Sequence, residues 1–201
     1  MDLENTNSIY TPKLGYLTLK YRKEFLKSKF NRYDFNESCH KIRLVASNNK
    51  ESPLYFWQLY SILGYDNILL IIKTFYSYIF DEIDKTKIWF KINFEESGPI
   101  NYHIKGQFKL WLDLMGGGSY YERETNLNLY HNLVKEIMTK KGSDMWLYYM
   151  DITLKELSGN ICFNFDERII PCIYEFIYFF MNKYADEFLF TFDSIDSISK
   201  L

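Results

Sequence analysis

Any imidazole that ligates a metal in this chain must come from His40, His103 or His131, the only three histidines. The three cysteines, Cys39, Cys162 and Cys172, have no metal-like spacing, and their number is odd. They read as reduced, small apolar residues of a reducing compartment. His103 stands one helical turn before Gln107, and i, i+4 spacing puts both on one helix face. Gln107 is flanked by Phe108 and lies near Ile104; an amide does not face a core without a polar purpose. Tyr76 follows Phe75 on a segment whose apolar face looks inward, so its hydroxyl needs a buried partner. On residue type alone several roles stay open. His131 is a surface histidine on a polar turn or a metal ligand. His103 is a pocket group or a solvent-facing ring at a pocket mouth. Tyr76 and Trp146 are hydrogen-bond donors or plain aromatic core.

The elements that must position these residues are helices. Ser52-Pro53 has the form of a helix start, with Ser at the cap and Pro in the first turn. A short helix over 54–63 stops at Gly64. The next, 66–80, keeps a 3.6-residue period through Ile68, Ile71, Ile72, Phe75, Tyr76 and Ile79. Residues 81–94 read as a short helix plus loop. A longer helix over 99–115 carries Ile104, Phe108, Trp111, Leu112 and Met115 on its apolar face. The run Gly116-Gly117-Gly118 ends it. Helices over 127–137, 143–157 (with a Ser143 cap) and 166–188 follow. A basic segment, 17–30, is partly periodic, and 31–52 reads as a linker. Alternating strand patterns are scarce, so the chain is expected to be all-α.

Length and composition bound the rest. With 201 residues, one domain with a full core is expected without staples. Apolar residues are 47% and aromatics 19%, which excludes a wholly disordered chain. Nine Gly and four Pro are too few for a collagen-like or low-complexity chain. The net charge of −2 gives no argument for nucleic acid. The charge is unevenly spread: residues 1–50 hold 10 Lys/Arg against 5 Asp/Glu, and the remainder is acidic. Such a basic leader is a solvated helical face or an interaction arm, and residues 11–43 are where a protein partner would dock. The polar, acidic stretch 1–8 predicts no secretory leader. The longest apolar run, 169–181, contains Pro171 and Glu175 and is too short to span a bilayer, so no membrane insertion is expected. A cytoplasmic chain is expected; the basic stretch 20–43 leaves a mitochondrial address open.

Residues 54–183 resemble the truncated haemoglobins, the two-over-two branch of the globins, and among them the second group. Four runs carry the resemblance. Leu59-Tyr60, Leu63-Gly64 and Phe75-Tyr76 match the family's LY…G…FY order. Gln107-Phe108, Met115-Gly116-Gly117 and Tyr121 match its Q(F/Y)…MGG…Y signature. Trp146-Leu147 with Met150 resembles the WL..M run, and the aromatic helix 173–184 resembles the last helix of the family. Each match alone is weak; their order and spacing carry the weight.

The resemblance implies a truncated two-over-two globin fold over 54–190. A basic extension, 1–53, would precede it and a polar tail, 191–201, follow. It implies haem b as cofactor, with His131 as the proximal iron ligand. It places Tyr76, Gln107 and Trp146 on the distal side as hydrogen-bond donors to a bound diatomic ligand: O2, NO or CO. Phe94, within Trp89-Phe90-Lys91-Ile92-Asn93-Phe94, would wedge the haem edge. His103 would gate or hydrogen-bond the ligand, or bind iron as a sixth ligand. Storage, sensing or NO/O2 chemistry would follow. An NO-dioxygenase or peroxidase-like side activity would also require an electron donor such as a reductase.

Some positions depart from the family pattern. Gly118 stands where the family has Pro, Tyr130 where an arginine commonly precedes the proximal histidine, and Asn132-Leu133-Val134 where Pro-Phe commonly follows it. These departures gather on the proximal side. They favour an alternative: a haem-free globin-fold interaction subunit of a larger assembly.

Overall fold

A computed structural model describes residues 46–49, 51–117, 137–188 and 190. Among these, the chain is helical, and the extended pairing is a single bridge between Ala46 and Tyr55. A 3-10 turn, Phe56–Gln58, leads into α1, Leu59–Phe80. Then come α2 (Ile88–Ser97), α3 (Ile100–Leu114), α4 (Lys140–Ser158), the short α5 (Ile161–Asn164) and α6 (Ile169–Phe188). The all-α expectation holds for these residues. None of these helices is long and apolar enough to cross a membrane. The expected helices over 17–30 and 127–137 lie outside the described residues, apart from Ile137 in a turn.

The six apolar positions read from the period of α1 are all buried. They form the centre of the body, with α3 and α4 as the main packing partners of α1. A second aromatic cluster ties the 3-10 turn before α1 to α6. Phe56 stacks on Phe176 of α6 at 3.5 Å between centroids, and Trp111 of α3 meets both rings edge-on. Fully burying a side chain of this size contributes about 1.5–3 kcal/mol.

The helix bounds differ from the sequence reading: α2 covers Ile88–Ser97 rather than part of 81–94, α6 begins at Ile169 rather than at Asp166, and two starts differ in their caps. Helical structure begins at Phe56 rather than at Pro53. Ser52 does not cap a helix. Its hydroxyl and carbonyl oxygens accept hydrogen bonds from Arg168 Nη1, at 2.7 and 2.9 Å. Ser47 holds the same segment from the other side: its N–H donates to Leu54 O, and its hydroxyl accepts from the Leu54 N–H. Residues 46–54 are thus part of the packed body. The cap of α4 is Thr139, whose Oγ1 accepts from the Gly142 N–H at 3.2 Å, so Ser143 lies inside the first turn. A cap of this kind stabilises by about 1 kcal/mol.

Gly64 breaks the helical dihedrals of α1 with φ +72°, although the helix resumes at once. The expected stop is a kink. The glycine run after α3 serves a closer purpose. The Tyr60 N–H donates to Met115 O at 3.0 Å, bringing the end of α3 against the start of α1. At Gly116, with φ +95°, a Cβ would stand 2.1 Å from the Trp57 carbonyl oxygen; at Gly117 it would stand 2.6 Å from the Tyr60 ring.

Candidate functional site

Tyr76 projects from the second half of α1 and Gln107 from the middle of α3, 31 residues later. The Tyr76 hydroxyl donates to Gln107 Oε1 at 2.6 Å. Tyr76 is buried, and burial pushes its phenol well above the ordinary tyrosine value. It is therefore a neutral O–H donor at any physiological pH. The partner of its inward-facing hydroxyl is thus the amide of Gln107 rather than a bound ligand.

Aromatic rings close around this pair. Phe94 of α2 stands 5.9 Å from the Tyr76 ring, edge-on, and Phe80 stands 6.4 Å away. Trp146 of α4 joins through Phe75: its ring lies 4.9 Å from Phe75, whose ring lies 5.0 Å from Tyr76. Trp146 is half-buried, whereas Leu147, Met150 and Leu154 of the same helix are buried. Trp111 and Leu112 of α3 lie in the core.

His103 stands one turn before Gln107 on α3. Its Nε2 lies 2.9 Å from Phe94 O and 3.1 Å from Gly98 O. Carbonyl oxygens only accept, so Nε2 carries the proton. These carbonyls belong to the last turn of α2 and its cap residue Gly98; Phe94 O also accepts from the Gly98 N–H and the Ser97 hydroxyl, whereas helix-end carbonyls in general lack a full set of helical donors. The ring packs against Tyr76, Phe80, Phe94 and Tyr102 at centroid distances of 5.2 to 5.8 Å. Burial pulls its pKa below the ordinary histidine value, outweighing the opposing effect of the two carbonyls. Iron ligation through Nε2 would break both of these hydrogen bonds.

Tyr76, Phe94, His103 and Gln107 therefore gather from three helices, and Trp146 adjoins them from a fourth. His131 lies outside the described residues. Among the described residues, no group of three His, Cys, Asp or Glu side chains is arranged to hold a metal ion. Phe80 was not read from the sequence as part of this cluster. Its apolar helical position marks it only as core. The capping role of His103 was also not read. The helix stop at Gly98-Pro99, shortly before His103, is the signal that could have indicated it.

A second polar group lies where α1 gives way to α2. The Tyr149 hydroxyl donates to Glu82 Oε2 at 2.7 Å, and Glu82 Oε1 accepts from the N–H groups of Ile83 and Asp84. Burial acts to raise the Glu82 pKa, but these donors and Lys87 outweigh it and hold the carboxyl below its ordinary value. Nearby, Tyr78 donates to Glu156, and Tyr174 donates to Asp151 at 2.8 Å. These contacts fasten α4 to its neighbours on two sides.

Comparison of the chain with protein-family models, curated proteins and solved structures returns no match.

Proposed function

We propose that the chain is a haem-binding globin of the truncated, two-over-two kind, which binds O2 or another diatomic ligand such as NO or CO. The observation that carries this reading is the hydrogen bond from the buried Tyr76 to the half-buried Gln107. It joins two residues that the globin resemblance assigns to one distal pocket.

The residues of the site fit haem on this side. A phenol and an amide provide polar groups, an indole packs on Phe75 next to them, and Phe75, Phe80 and Phe94 provide apolar walls. His131 would hold the iron, and Phe94 would pack on the haem edge. When bound, haem supplies a reducible iron that takes a diatomic ligand. Tyr76, Gln107 and Trp146 can each turn a donor toward a ligand that carries partial negative charge. The surrounding rings lower the local polarity, and a donor is worth more in such an environment. Such a pocket holds O2 firmly, which suits storage, sensing or NO/O2 chemistry.

The test is reconstitution with hemin. One equivalent should bind and give a Soret band. A protein that stays colourless, with unperturbed tryptophan fluorescence, would overturn the reading.

One observation favours a second reading, a haem-free interaction subunit. The Tyr76 proton already has its acceptor within the chain, so the polar centre is satisfied without a ligand. The same hemin titration separates the two readings.

A further inference from the structure

We propose that His103 is a positioning residue: its imidazole fixes the C-terminal end of α2 and thereby holds Tyr76 in line with Gln107. The inference rests on Tyr76 and Gln107 being the polar centre of the site, but it does not require haem.

The geometry gives His103 two separate grips. Its Nε2–H is shared between Phe94 O and Gly98 O. The end of α2 is thus held by a side chain from α3 in addition to its own Gly98 N–H and Ser97 hydroxyl, which also donate to Phe94 O. The second grip is the ring face. Tyr76, Phe94 and His103 form a closed triangle of rings, with sides of 5.9, 5.2 and 5.6 Å. Phe94 therefore meets His103 twice, through its ring and through its carbonyl.

This arrangement restricts Tyr76. Its ring packs between Phe75, Phe80, Phe94 and His103. Phe75 and Phe80 share its helix and move with it. Phe94 and His103 come from other elements, and the His103 hydrogen bonds hold those two together. Gln107 is on the same helix as His103, one turn on. One imidazole thus sets the distance between the wall of the pocket (Phe94), the donor (Tyr76) and the helix of the acceptor (Gln107). The same contacts assign the Nε2 proton to the backbone, so His103 acts through its neighbours rather than on a ligand.

The test follows the Tyr76 hydroxyl by NMR, in protein as purified and labelled at the tyrosine ζ carbon. Gln107→Leu supplies the reference signal for a Tyr76 without its acceptor. In His103→Ala, the Tyr76 signal should move toward that reference. Its hydroxyl proton should exchange on the order of tenfold faster, the size of one ordinary hydrogen bond. His103→Gln keeps a side-chain N–H donor and should restore most of the original signal. An unchanged Tyr76 signal in His103→Ala would overturn the proposal, as would a folded His103→Gln protein that resembles the alanine variant. If His103→Ala does not fold, His103→Asn, whose amide is too short to serve both carbonyls, takes its place under the same two outcomes. Hemin binding is read separately by absorbance. A colourless protein with a displaced Tyr76 signal would therefore remove the haem reading and leave the role of His103 standing.

Discussion

The ring of Tyr60 occupies the space that a side chain on Gly117 would need, since an added Cβ would stand 2.6 Å from it. Two short sequence runs, Leu59-Tyr60 and Met115-Gly116-Gly117, thus meet in space at the junction of α1 and α3. The glycines are there because the Trp57 backbone and the Tyr60 ring leave no room.

Gly117→Ala should accordingly destabilise the fold by about 1–3 kcal/mol, the ordinary cost of overpacking. Gly116→Ala should cost more. Its Cβ would meet the Trp57 carbonyl oxygen at 2.1 Å, a backbone atom that cannot rotate away, and its φ of +95° disfavours any side chain. Urea denaturation midpoints of the two variants check the order.

This junction shows why part of the fold was legible. Its residues sit in contiguous runs, and periodicity alone fixed the buried face of α1. The Tyr76–Gln107 pair was legible only in part: each residue was a polar group that needed a partner, but the sequence turned both as donors toward a bound ligand, and their contact with each other was not read. Helix starts were not legible to the same degree. Ser52 has the local chemistry of a cap, but Arg168, distant in sequence, takes both of its oxygens. Thr139 and Ser143 are both residues that cap helices, Ser slightly the better, and residue type alone does not reveal that the helix starts one turn earlier, at Thr139. The role of His103 was hidden because its partners are backbone carbonyls, which residue types do not reveal.

Arg168 is the basis of a second prediction. It donates to Ser52 and pairs with Asp166 at 2.7 Å, so one side chain joins the segment before α1 to the start of α6. Arg168→Ala leaves the shielded Asp166 carboxylate and the Ser52 carbonyl without this donor. A loss of about 1–3 kcal/mol is expected. Hydrogen exchange should speed up most at Ser47 and Leu54, whose mutual hydrogen bonds depend on that segment staying in place.

Acid should loosen the contact between α4 and the turn after α1. The Glu82 carboxyl is held below its ordinary value of 4.5 in the folded protein. A depressed folded pKa means that its contribution is present above the unfolded value and is lost as pH falls through the folded one. Stability should therefore decline below about pH 4.5 as Glu82 takes up a proton. Glu82→Gln should be less stable than the parent at neutral pH, and its stability should fall less steeply in acid. Parallel urea titrations at pH 7 and pH 3.5 check both signs.

Tyr76→Phe removes the donor of the central hydrogen bond and leaves Gln107 Oε1 without it. A loss of about 1–2 kcal/mol in stability is expected, with part of it absent when Gln107 is already leucine. In the haem-bound protein the same substitution should speed O2 release by roughly 10- to 100-fold, because a hydrogen bond to a partly charged acceptor is worth about 1.5–3 kcal/mol. CO release should change far less. Stopped-flow dissociation of the two ligands checks this, and equal effects would mean that Tyr76 acts by filling space.

The haem reading is tested most directly by the absorption spectrum of the hemin-reconstituted protein and its His131→Ala variant. The account predicts a Soret band in the parent and in His40→Ala. It predicts loss of that band, or its recovery only with added imidazole, in His131→Ala. An unchanged spectrum after removal of His131, or a parent protein that takes up no hemin, would contradict it.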